Sequence, residues 1–302
     1  MSKPELHKPV LIKEVVEIAS EVQPQKILDG TFGRGGHTRA FLQLDSRPRV
    51  VAIDQDLEAV QYGWNEFSQW IAEGRLQLQQ AQFHSLPESL LAENSYDVIL
   101  LDLGVSSPQL DDPQRGFSFY QDGPLDMRMN QSAGLTAADL VNSWPEVELI
   151  ELFKNYGEIR RPQRVVRAIV EDRKTKPFSS TLQLAEMIAR VEGWRRKGHH
   201  PATTYFLALR MAVNRELEGL PECLPGLMRA LTEGGRLIVI TFHSLEDRII
   251  KYAFKESPEL GFPLFKKVIV ADREEVLENP RARSAKLRVF QRGVRINEGE
   301  MD

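Results

Sequence analysis

Cysteine is nearly absent: Cys223 is the single thiol in 302 residues. That excludes an intramolecular disulfide and any zinc site built on several cysteines. It also frees the fold from needing an oxidising compartment. No apolar run approaches the ~18 residues of a membrane helix, and residues 1–7 lack the apolar core of a signal peptide. No Gly-Lys-Ser/Thr follows a glycine run, so there is no P-loop. Internal repeats and low-complexity tracts are missing too. The expectation is a cytoplasmic protein without membrane contact and without a bound metal.

The formal net charge is −4, which by itself points away from nucleic acid, but the charge is unevenly spread. Residues 157–200 hold 11 Lys/Arg against 5 Asp/Glu, and residues 278–295 hold 6 against 1. Two basic segments on an acidic body suggest a local polyanion contact, whereas solvated helix faces are the plainer explanation of such runs.

Strand and helix signals alternate through the first third. Short apolar runs at 26–29, 49–54, 75–79 and 96–102 read as strands. Helical periodicity marks 10–19, 35–44, 57–67 and 85–91. Strands separated by helices imply right-handed βαβ units and a parallel sheet. From 112 to 205 only helical candidates follow: 136–142, 146–156, 162–173 and 182–192. Helices at 206–217 and 223–231, a strand at 236–242 and a helix at 245–254 come next. A hairpin-like pair at 264–270 and 286–291 closes the chain. The expected division is a discontinuous α/β core of 1–112 and 206–302 and an inserted all-α domain of 113–205.

Three strands end on acids: Asp29, Asp54 and Asp102. Such residues lie at the carboxyl edge of a sheet, where open α/β folds bind ligands. After Asp29 comes Gly30-Thr31-Phe32-Gly33-Arg34-Gly35-Gly36-His37, where glycines allow close backbone approach and leave helix amides open. Its spacing departs from the G-x-G-x-x-G nicotinamide fingerprint, since Thr38 stands where the third glycine belongs. An acid directly before the glycines would repel a pyrophosphate but suits a cationic ligand such as S-adenosylmethionine; a tight turn capped by Asp29 is the structural alternative. Asp54, about twenty residues past the glycines, is placed for ribose hydroxyls of either cofactor class. Phe83 is placed to pack on an adenine or to serve the core. Asp102 leads into Ser106-Ser107-Pro108-Gln109, half of the Ser/Asn/Asp-Pro-Pro-aromatic turn used by enzymes that methylate exocyclic base amines. His243 follows the fifth strand and could orient substrate or accept a proton. Ser244 with Asp247 reads as a capping box there.

The runs at 31–37, 101–109, 115–119, 122–129, 242–248 and 279–287 together resemble one family, the bacterial small-subunit ribosomal RNA cytosine-N4 methyltransferases of H type. The likeness spans nearly the whole chain. It implies a class I, Rossmann-like, S-adenosylmethionine-dependent methyltransferase sheet with an inserted helical domain serving substrate recognition. It further implies methylation of N4 of a cytidine in the decoding region of 16S RNA within the small ribosomal subunit. By position, the cofactor contacts would be Gly35, Gly36, His37, Asp54, Phe83, Asp102 and Gln109. Thr38 and Gln55 fall where relatives often carry Ser and Arg. Asp126, Arg128 and His243 are candidates for positioning the cytosine beside Asp102. Arg115, Arg281, Arg283, Lys286 and Arg288 are candidates for phosphate contact. The rivals are a DNA cytosine-N4 methyltransferase, a nicotinamide oxidoreductase and a non-catalytic RNA-binding protein. The sequence leaves a homodimer open.

Overall fold

The computed structural model describes residues 9–86, 90–193 and 200–295. The chain divides into two compact units, one of Met1–Gly104 with Leu217–Asp302 and one of Val105–Glu216. In chain order the first unit contributes α1 (Ile12–Ser20), β1 (Lys26–Asp29), α2 (Gly36–Leu42), β2 (Arg49–Asp54), α3 (Leu57–Glu66), α4 (Ser68–Ala72), β3 (Leu76–Gln80) and β4 (Tyr96–Asp102). The second unit supplies α5 (Ser107–Asp111), α6 (Ala137–Ser143), α7 (Glu146–Asn155), α8 (Gln163–Thr175), α9 (Thr181–Glu192) and α10 (Ala202–Val213). The first unit resumes with α11 (Gly219–Ala230), β5 (Leu231–Thr241), α12 (Ser244–Lys255), β6 (Gly261–Pro263), β7 (Ile269–Val270), α13 (Arg273–Glu278) and β8 (Lys286–Arg292).

In the first unit β1 to β5 run parallel in the order β3-β2-β1-β4-β5, and β8 then joins β5 antiparallel. β6 and β7 both pair with β8. The order reverses between β1 and β4. That switch point opens a crevice at the carboxyl ends of the strands, and both strands end there on an acid. Along β4 the pleat sends Val98 and Leu100 into one apolar cluster and Ile99 and Leu101 into another. The first cluster packs α1 and α2, the second α11 and α12. Burial on both faces is why this strand reads as an unbroken apolar run. At the opposite end of the sheet, Asp97 accepts hydrogen bonds from the Gln25 and Lys26 amides at 2.7 and 3.0 Å and from the Thr232 hydroxyl at 2.9 Å. One carboxylate thus ties the starts of β1, β4 and β5 together.

The second unit is helical among its described residues, apart from one isolated bridge between Pro124 and Ser180. Its core joins Leu140, Phe153, Val166, Leu184 and Leu209, one from each long helix. It takes in α5 and most of α10, which the expected division at 113 and 205 leaves with the sheet. Tyr205, Phe206 and Leu209 of α10 pack in the helical cluster, which explains their side.

Differences from the sequence reading are local. β5 starts earlier than 236, because Leu231 already pairs with Tyr96; the register then shifts across 232–235 before Arg236 meets Val98. The expected helix at 85–91 includes 87–89, outside the described residues; a 3-10 turn at Phe83–Ser85 precedes it. The short α4, α5 and α13 carry too few turns to show a period. Among the described residues no helix is long and apolar enough to cross a membrane, and no cluster of His, Cys, Asp and Glu could hold a metal ion.

The two-sided burial of β4 has a measurable consequence. Leu100, fully buried, should lose about 2–5 kcal/mol on replacement by alanine. Leu57, 42% exposed at the start of α3, should lose no more than about 0.5 kcal/mol. Urea unfolding of Leu100→Ala and Leu57→Ala compares them directly.

Candidate active site at the sheet edge

The loop after β1 is held from beneath by Asp29. This carboxylate is fully buried, accepts the Thr38 hydroxyl at 2.6 Å and accepts the Thr31 amide at 3.1 Å in an Asx turn. Burial pushes its pKa up against those donors. Asp29 therefore faces inward and shapes the loop, correcting the expectation that it meets a cationic ligand. The Thr31 hydroxyl in turn accepts the Asp102 amide at 2.7 Å, fastening the loop to the end of β4. Sequence reasoning assigned Thr31 no role; its place two residues after a strand-terminal acid was the available signal.

Gly35 sits at φ +72°, where a Cβ would meet the Phe67 and Phe32 rings at 2.4 and 2.7 Å, and a Cβ on Gly36 would meet Pro9 at 2.2 Å. The missing side chains thus let the loop pack down on its own core. α2 then begins with no side-chain cap. His37, in its first turn, is 5% exposed, and neither ring nitrogen has a hydrogen-bond partner among the described residues. Its Nε2 lies 3.6 Å from Asp102 Oδ2, beyond hydrogen-bond range, and Asp102 Oδ1 is likewise buried and unpartnered among the described residues. Orphaned buried polar atoms are uncommon in folded proteins and call for a partner. Here they gather at the switch point.

Asp54 ends β2 half-buried. Its Oδ2 accepts the Gly33 amide at 2.7 Å and its Oδ1 the Asp56 amide at 2.8 Å. Each oxygen keeps a second lone pair. Burial outweighs these donors and pushes the carboxyl up to about 6. Phe83, half-buried after β3, packs edge-on to His84 and against the cluster that contains Leu101. Its Cβ lies 3.6 Å from where a Gly30 side chain would start. Gly35, Gly36, His37, Asp54, Phe83 and Asp102 thus all sit in one unit, at or just past the carboxyl ends of β1, β2, β3 and β4.

His243 caps α12. Its Nδ1 accepts the Leu245 amide at 3.3 Å, while Glu246 accepts the Phe242 and His243 amides, both at 3.0 Å. The capping box is therefore His243 with Glu246, one residue before the expected Ser244 and Asp247. Asp247 instead pairs with Arg288 at 2.6 Å and Lys286 at 3.4 Å, so two of the expected phosphate contacts already hold a carboxylate. Arg281 and Arg283 stand exposed on the 3-10 turn before β8. With Nδ1 accepting, the neutral ring carries its proton on Nε2.

The remaining candidates belong to the helical unit. Gln109 is buried and completes a capping box on α5, its Oε1 accepting the Ser106 amide at 2.9 Å. Asp126 and Arg128 grip each other in a bidentate pair at 2.9 and 2.8 Å. Arg115 is 4% exposed and donates to the carbonyls of Arg128 and Met129, both at 3.1 Å. It props this loop, so the expected phosphate contact is corrected by its burial.

A family model described as the MraW methylase family matches residues 5–293. The chain belongs to the MraW methylase family. A protein of Bdellovibrio bacteriovorus called ribosomal RNA small subunit methyltransferase H is 54% identical over 95% of this chain and 88% of its own length. One of the same name from Coprothermobacter proteolyticus is 43% identical over 97% and 98%. The crystal structure of a putative rRNA-methylase from Clostridium thermocellum aligns over 95% of this methylase and 100% of that chain, at 9% identity and a TM-score of 0.47.

Two predictions follow from the geometry of this methylase. The folded state holds the Asp54 proton up to about pH 6, against 3.8 for an unperturbed Asp. Its contribution to stability is full below pH 3.8 and lost as pH rises through 6. Urea unfolding at pH 4.5 and 6.5 should show that Asp54→Asn lacks this part of the decline. At the cap, His243→Ala should cost about 1 kcal/mol, and His243→Asn, which can still cap, only a fraction of that.

Proposed function

We propose that the first unit binds S-adenosylmethionine and that the protein transfers its methyl group to the exocyclic N4 of a cytidine in the decoding region of 16S RNA, on the small ribosomal subunit in the cytoplasm. The observation that carries the donor site is that the His37 ring nitrogens and Asp102 Oδ1, buried and without a hydrogen-bond partner among the described residues, lie side by side at the switch point. Around them the residue types fit the donor. The spare lone pairs of Asp54 take ribose hydroxyls, Phe83 offers an apolar face for an adenine, and Asp102 accepts from an amine. The uncapped first turn of α2 favours a carboxylate. None of these roles needs a metal ligand.

When bound, the donor supplies an electrophilic methyl on a sulfonium, already a good leaving group. The protein's work is therefore alignment, which can supply much of the acceleration. A cytidine must leave its stack to reach such a pocket. A hydrogen-bond acceptor beside its amine draws the nitrogen lone pair out of conjugation, and Asp102 is proposed for this. His243, held at the head of α12 by its cap, is proposed to orient the base. The amine proton leaves to an oxygen acceptor or water, and no covalent base is required. Cys223, buried and with its thiol pushed up to about 12, is unsuited as a nucleophile. Recognition of the surrounding RNA is proposed for the helical unit.

The test is methyl transfer from labelled donor to small subunits, naked 16S RNA and DNA, all prepared from cells lacking the gene. Mass spectrometry of the digests should find new N4-methylcytidine in small-subunit RNA and none in DNA. Methyl transfer to DNA, or none to ribosomal RNA, contradicts the proposal. Because the ionised carboxylate is the better acceptor, donor affinity measured by calorimetry should rise as pH increases through about 6. Asp54→Asn should flatten that rise and weaken binding by about 10-fold or more.

A further inference from the structure

Away from the donor site, the first unit carries a groove of about 250 Å³ between α12 and the antiparallel strands β6 to β8. Its floor is apolar, with Phe254, Pro263 and Val289. Its rim is basic: Lys251 and Lys255 from α12, Lys266 and Lys267 from the segment after β6, and Arg295 beyond β8. Among the described residues no Asp or Glu lines it. The four lysines are exposed and in no ion pair among the described residues, and Phe265 beside them is 40% exposed. Lys251 and Lys255 are one helical turn apart and so share a face of α12. Arg288 also lines the groove; held by Asp247 in the first turn of α12, it marks the end towards His243. From the His243 cap to Lys255 is roughly 18 Å at 1.5 Å per residue.

We propose that this groove binds a single-stranded segment of the RNA substrate, its phosphates on the lysines and a base on Phe265. Cations along a channel with an accessible aromatic ring are the elements of single-strand recognition. The proposal rests on the RNA reading above and deepens it: α12 links the substrate-positioning edge at His243 to a second contact that holds the flanking strand. Such a contact acts on affinity for RNA and leaves donor binding and chemistry alone.

The test compares the parent with a quadruple variant, Lys251→Ala, Lys255→Ala, Lys266→Ala and Lys267→Ala, and with Lys→Arg at the same positions. Binding of a fluorescent single-stranded oligoribonucleotide across a salt series is the first readout. The alanine variant should bind at least 10-fold more weakly, with a salt slope smaller by about 3, while the arginine variant should restore both. Phe265→Ala should weaken binding with the salt slope kept. Calorimetry with S-adenosylmethionine should give an unchanged Kd, showing the fold intact. With small subunits, KM should rise and kcat stay within about twofold. An alanine variant with the parent's oligonucleotide affinity and salt slope overturns the groove. So does loss of small-subunit binding with oligonucleotide binding intact, which would make the occupant a ribosomal protein. The oligonucleotide assay needs no turnover; a parent that binds RNA through the groove yet methylates no ribosomal RNA would sink the proposed function instead.

Discussion

The site depends on one buried carboxylate. Asp29, fully enclosed, takes the Thr38 hydroxyl and the Thr31 amide, and so sets where the loop after β1 runs. From that loop the Thr31 hydroxyl receives the Asp102 amide, and the Gly33 amide reaches Asp54. The three strand-terminal acids therefore divide the work. Asp29 faces in and builds. Asp54 does both, bonding two amides and keeping lone pairs outward. Asp102 is fastened through its backbone and leaves a carboxylate oxygen unpartnered. Removing the inner acid would leave the buried Thr38 hydroxyl and the part-buried Thr31 amide unsatisfied and loosen the two acids that face the crevice.

The parallel sheet was legible because β1, β2 and β4 are short apolar runs closing on an acid, each followed by a turn and a helix. Their register at the switch point could not be read, since it comes from pairing between distant segments. The direction of Asp29 was hidden for a related reason: the same acid-glycine spacing serves an inward or an outward carboxylate, and only the burial of Thr38 decides. Ser106 to Gln109 was read for chemistry, although Ser-x-x-Gln is also a capping box, which is how the structure uses it. At α12 the cap fell to His243 rather than Ser244, because Glu246 accepts both the Phe242 and the His243 amides.

Charge tells a similar story. A net charge of −4 hides cations with different duties. Arg115 is buried against backbone carbonyls, Arg128 is bound to Asp126, and Arg288 grips Asp247. Each fastens a loop or helix of its own unit. The lysines around the α12 groove are in no ion pair among the described residues, which is what sets them apart as a surface for an anionic partner.

The most direct measurement is a crystal structure of the protein with S-adenosylhomocysteine. The account predicts its ribose hydroxyls on Asp54, its adenine against Phe83, and a hydrogen bond from its amino-acid end to Asp102 or His37. A product bound elsewhere, with His37 and Asp102 still without partners, would contradict it.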